Sequence, residues 1–125
     1  MSDGLERADA LAQVHREFRD GLAGRLDSLR RALDRMGQGH ERATVESLFR
    51  TAHSLKGAAP SFGADELAAP AAELTEIARA WRGGGGGEGR GGPREAEELE
   101  RARALLRRLE EAAARFVSRT GEETR

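Results

Sequence analysis

The chain has no cysteine and no tyrosine, and only three prolines, four phenylalanines and one tryptophan in its 125 residues. Without cysteine there is no disulfide framework and no thiolate chemistry, and the composition fits a reducing compartment. Valine and isoleucine are nearly missing as well. Strands draw on β-branched and aromatic residues, so this scarcity argues against a sheet. No apolar run approaches the ~18 residues that a bilayer span needs. The first ten residues, MSDGLERADA, carry Asp3, Glu6 and Asp9 where a secretory leader would be apolar. These features predict a cytoplasmic chain with no membrane partner.

Charge of either sign is not in excess. Twenty-one basic side chains stand against 22 acidic ones, giving a formal charge of −1, and the signs are interspersed. A nucleic-acid partner would ask for a net basic stripe, which is missing. Lysine is the last scarcity: every basic residue except Lys56 is arginine.

What is abundant is alanine, leucine, arginine and glutamate, the best helix formers. Apolar residues at Leu11, Phe18, Leu22, Leu26, Leu29, Leu33 and Met36 keep a three-and-four spacing that predicts a helix over 5–36. A second stripe, from Val45 through Leu48, Phe49, Ala52 and Leu55 to Ala59, predicts a helix over 42–59 that ends at Pro60. Leu67, Ala71, Leu74, Ile77, Ala78 and Trp81 form a third stripe, with Asp65 and Glu66 suited to its positive end. Pro70 conflicts with that helix and predicts a kink or a restart there. The run 83–92 is mostly glycine and reads as a flexible loop. Pro93 opens a fourth helix expected to end near Arg119.

Four amphipathic helices can hide their stripes only against each other. The expected fold is all-α, an antiparallel up-and-down four-helix bundle over 1–120, with 121–125 as a frayed tail. As an isolated domain it is expected to be a monomer.

One group of residues breaks the rules of a plain bundle. His53 falls on the flank of the second stripe, one turn after Phe49, with Lys56 about 60° to one side and Gly57 about 40° to the other. Gly57 inside a helix costs roughly 0.5–1 kcal/mol relative to alanine, and Ala58 and Ala59 continue the small-residue run. The chemistry that fits is phosphoryl acceptance on a ring nitrogen. Imidazole is a competent nucleophile near neutral pH, an ammonium beside it offsets the incoming negative charge, and small neighbours leave room for a partner's active site. His15 and His40 read as ordinary boundary and loop residues. No two histidines have metal-ligand spacing, so no metal and no cofactor is expected.

The segment FRTAHSLKGAAPSFGA, Phe49 to Ala64, resembles the signature of histidine-containing phosphotransfer (HPt) domains, an H-x-L-K-G core followed by a second glycine, here Gly63. The flanking Phe49, Arg50, Ala52, Ser54 and Phe62 look most like the version at the N-terminus of chemotaxis-type histidine kinases. The resemblance implies that His53 takes the phosphoryl group on Nε2, with Lys56 as charge partner, Gly57 as the gap that admits the partner, and Gly63 as the turn into the third helix. The implied partners are a response-regulator receiver domain and a histidine kinase catalytic domain, either of which would bring Mg²⁺. The chain itself would be a phosphocarrier rather than an enzyme, or the phosphoacceptor part of a larger kinase. Family members often carry Glu or Gln on the third helix to hold the imidazole, and here that position is Thr75. A structural or dimerising bundle without phosphoryl chemistry is the alternative.

Overall fold

The computed structural model describes residues 2–39, 41–83 and 93–123. It contains four helices, α1 (Ser2–Met36), α2 (Arg42–Ala58), α3 (Asp65–Gly83) and α4 (Pro93–Glu123), with a 3₁₀ turn at Ala59–Phe62 between α2 and α3. Each helix packs on its two neighbours, and α2 and α3 share the most extensive contact. Glu66 meets Arg115, Glu73 meets Arg108 and Trp81 meets Glu98. Positions therefore rise along α3 as they fall along α4, the mark of antiparallel neighbours. Phe18 against Phe116 and Arg30 against Glu110 show the same for α1 and α4. The expected four-helix bundle is the observed one.

The predicted stripes form its core. Leu22, Leu29 and Leu33 of α1, Leu48 and Leu55 of α2, Leu67 and Leu74 of α3 and Leu109 of α4 are fully buried. Burying each such side chain contributes about 1.5–3 kcal/mol. One end of the core is aromatic, with the Phe18 ring stacked on Phe62 at 4.5 Å and edge-on to Phe116 at 5.9 Å. Near the other end Trp81 donates its indole N–H to Glu98 at 3.0 Å, so its burial leaves no polar atom stranded.

Three expectations need correction. Of the kink or restart expected at Pro70, the restart does not occur, since α3 runs through it. The carbonyl deprived of its donor belongs to Glu66, an exposed residue open to water, while the proline ring is buried with the core. α2 stops at Ala58, and Ala59 belongs to the 3₁₀ turn. α4 continues to Glu123 rather than ending near Arg119, and Thr120 within that last stretch donates its hydroxyl to the Phe116 carbonyl at 2.8 Å. Of the glycine-rich run, Gly83 closes α3, and 84–92 lie outside the described residues, as do His40 and the last two residues.

Candidate functional site

α2 carries the histidine. Its core side, from Thr44 and Val45 through Leu48, Ala52 and Leu55, is buried, and His53 projects from the opposite side as an exposed residue. Phe49, one turn earlier, lies beneath the imidazole with the two rings 6° from parallel and their centroids 5.6 Å apart. Phe49 is held in turn by α3: the Arg82 guanidinium sits over its ring at 4.1 Å and reaches Glu46 at 3.5 Å, and Arg79 lies 5.7 Å from the same ring. Together these groups form a ladder from α3 to the histidine. No described residue hydrogen-bonds the imidazole.

Lys56 follows His53 by three residues on the α3 side of α2 and is half-buried. Gly57 is exposed, and a β-carbon placed there meets nothing within 4 Å. The packing of this bundle therefore does not require glycine at that position. Ala58 is half-buried and Ala59 wholly buried, so only the start of the small-residue run faces outward. Ser54 is exposed on the side of α2 that faces α1.

Gly63 caps the 3₁₀ turn in the left-handed region, at φ 76° and ψ 15°. Its N–H donates to Pro60 at 3.2 Å and the next N–H, of Ala64, donates to Ala59 at 2.9 Å. This paired closure is the one glycine makes without a β-carbon penalty. It turns the chain directly from the end of α2 into α3, which supports the ladder under His53.

Thr75 is elsewhere. It is fully buried, and its hydroxyl donates to the Ala71 carbonyl of its own helix at 2.7 Å. Glu73 and Glu76, which flank it, are engaged by Arg101 and Arg108 and by Arg79 respectively. The structure thus sets Gly57 exposed beside His53, with Lys56 on the α3 flank and Ser54 on the α1 flank of α2, and leaves Thr75 out. The parts missing from the sequence reading are the stacking of Phe49 and the arginines of α3 above it. An aromatic residue four before a histidine was a usable signal for the first, and nothing local signals the second. His15, exposed on α1, rests edge-on to Phe62 at 5.1 Å.

An up-and-down helical bundle that presents the His53 imidazole on α2, with a lysine one turn on and a bare glycine beside it, defines a histidine-presenting helical module. The Hpt domain family model matches residues 13–115, and the chain belongs to that family. Hpt domains are phosphocarrier modules of phosphorelay signalling, working with receiver or kinase domains rather than as enzymes. No curated protein and no solved structure matches the chain. Among the described residues no helix is long and apolar enough to cross a membrane.

Proposed function

We propose that His53 is the residue that accepts the phosphoryl group, and that the chain relays it between a histidine kinase catalytic domain or a phospho-aspartyl receiver and the aspartate of a receiver. The observation that carries this reading is the exposed imidazole braced on Phe49, inside the segment matched to the family. In the forward step the Nε2 lone pair attacks phosphorus. An N–P bond forms as the bond from phosphorus to the donor oxygen breaks, and the electron pair leaves with that oxygen. Lys56 offsets the charge of the transferring group, and Gly57 leaves the approach to His53 unobstructed. Mg²⁺ enters with the partner. The FRTAHSLKGAAPSFGA segment favours a place at the N-terminal end of a chemotaxis-type kinase, acting in the cytoplasm.

Incubating the chain with phosphorylated receivers and kinase cores from its own genome tests this. An acid-labile phosphate on His53, absent from His53→Gln, is the expected result, and label on another residue or none at all overturns it. The adaptor alternative draws on Leu11, Val14 and Val117, apolar residues left exposed at the α1–α4 end of the bundle. It predicts no label, so the same experiment separates the two.

A further inference from the structure

Two arginines near His53 differ from those around them. On the α3 side the guanidinium groups are engaged, Arg82 with Glu46 and Arg79 with Glu76, and both lie over Phe49. On the α1 side Arg25 and Arg50 make no ion pair with any described residue. Both line a groove of about 350 Å³ between α1 and α2, and its other walls are Ser47, Thr51 and Ser54. Ser47, Arg50, Thr51 and Ser54 follow the i, i+3, i+4, i+7 pattern of one helix face, so they form one stripe of hydroxyls with a guanidinium in it. None of the described residues that line the groove is a carboxylate.

Arg25 supplies the more telling observation. Its Nη1 atom is buried without a hydrogen-bond partner. The guanidinium carbon lies 5.5 Å from the Phe18 ring, so the side chain runs back toward the start of α1. Antiparallel packing sets that direction beside the C-terminal half of α2, where Ser54 follows His53. A guanidinium carries a planar fork of donors, the geometry that matches a carboxylate or phosphate; here one arm of the fork is buried while the side chain lines the groove.

The position of the groove identifies what fills it. A specific protein partner covers about 800 Å² on each side of an interface. Any protein that closes its active site on His53 therefore also covers Ser54, the next residue, and Arg50, one turn back. We propose that the α1–α2 groove is a docking subsite for a carboxylate side chain of the protein that exchanges the phosphoryl group with His53, held by Arg25 and Arg50. The subsite rests on the phosphotransfer reading and adds which side of His53 the partner anchors on. Its contribution lies in encounter and residence rather than in bond making.

The test is single-turnover transfer from a phosphorylated receiver that loads His53, at low and high salt, in the parent chain and in Arg50→Gln, Arg25→Gln and Arg25→Lys. Each glutamine variant is expected to raise the half-saturating receiver concentration ~tenfold and to flatten its salt dependence, with the loss falling on half-saturation rather than on the saturated rate. Arg25→Lys should recover only part, because an ammonium keeps the charge and loses the fork. Arg50 is exposed, so its variant keeps the test sound if Arg25→Gln impairs folding. Unchanged half-saturation in the folded glutamine variants overturns the subsite, as does a loss confined to the saturated rate. Inorganic phosphate, titrated while the arginine side-chain NMR signals are followed, covers the remaining case. Saturable phosphate binding at Arg25, with receiver half-saturation unaltered in the variants, makes the groove a small-anion site and overturns the proposal. If the parent chain accepts no label on His53, the phosphotransfer reading fails and the groove's occupant with it; if it accepts label normally and only the half-saturation prediction fails, the subsite alone falls.

Discussion

The Phe49 ring lies 6° from parallel to the His53 imidazole at a centroid separation of 5.6 Å, and it is the only described side chain in ring contact with that histidine. The orientation of the exposed imidazole is thus set from below by a stacked hydrocarbon face instead of by a hydrogen bond to a carboxylate or amide. Phe49 is itself covered by Arg82, so α3 is linked to His53 through two side chains.

That arrangement predicts a measurable cost for Phe49→Leu. Aromatic stacking is worth about 0.5–1.5 kcal/mol beyond burial, which corresponds to a ~3–10-fold fall in the saturated transfer rate if the stack holds the ring in its reactive orientation. Half-saturation should hardly move, and the His53 ring carbons should show faster motion in NMR relaxation. A rate equal to the parent's, with the ring newly mobile, would show that orientation is set by the docked partner.

Much of the molecule was legible because its information is periodic. Leucines three and four apart place Leu22, Leu29, Leu48, Leu74 and Leu109 in the core whatever the neighbouring helix does. Features that depend on the register between helices were not legible. Arg101 and Arg108 of α4 reach Glu73 of α3 and Arg115 reaches Glu66, pairings that no spacing within one helix announces, while Arg103 pairs with Glu100 of its own helix. The restart expected at Pro70 failed for a related reason: local rules set its lost hydrogen bond at about 3 kcal/mol but carry no account of the buried ring that offsets it. At the site, His53, Lys56 and Gly57 were fixed by helical geometry within α2. Thr75 was assigned by position in a family pattern, and its hydroxyl turns inward to Ala71.

Replacing His53, the proposed phosphoacceptor, should leave the fold alone. His53 is exposed and belongs to no buried cluster, and surface substitutions of this kind change stability by less than about 0.5 kcal/mol. His53→Gln is therefore expected to melt like the parent and to accept no acid-labile phosphate, as read by calorimetry and by label retention on the same sample.

For Gly57 the expectations for stability and transfer have opposite signs. A side chain there meets open space, so Gly57→Leu should stabilise α2 by roughly 0.5–1 kcal/mol through helix propensity. The same side chain stands beside His53 on the exposed face and should block a partner's approach. A higher melting temperature with transfer lost is the expected pair of results, and transfer at the parent's rate would mean that the partner approaches from the other flank.

Gly63 should behave in the reverse manner. At φ 76° any L side chain pays the left-handed penalty of about 1–2 kcal/mol, although the added β-carbon has open space around it. Gly63→Ala is expected to lower the melting temperature by ~4 °C for each kcal/mol lost. The saturated transfer rate measured well below the melt should stay close to the parent's, since the substitution strains the turn without touching the exposed face of α2.

Lys56 and Thr75 can be ranked from where their polar atoms lie. Lys56 is half-buried one turn from His53; on the proposed reading its ammonium acts on the transferring phosphoryl in a site that loses water as the partner docks. An interaction of that type supplies a few kcal/mol to the transition state, and Lys56→Ala should slow saturated transfer by ~10². The lysine also stands in the last turn of α2, where a cation contributes about 0.3–1 kcal/mol to the helix, so rates must be compared well below the melting transition. Lys56→Arg keeps the charge and should recover most of the loss. Thr75 is fully buried with its hydroxyl given to Ala71, and removing that bond costs about 1 kcal/mol of stability at most beyond the lost methyl packing. Its effect on transfer should remain below ~tenfold and should follow the loss of fold under heat, which Lys56→Ala should not do. If Thr75→Ala proves the more damaging to the saturated rate while still folded, the hydroxyl must leave Ala71 to orient the ring during transfer, and the stack on Phe49 is then only the resting arrangement.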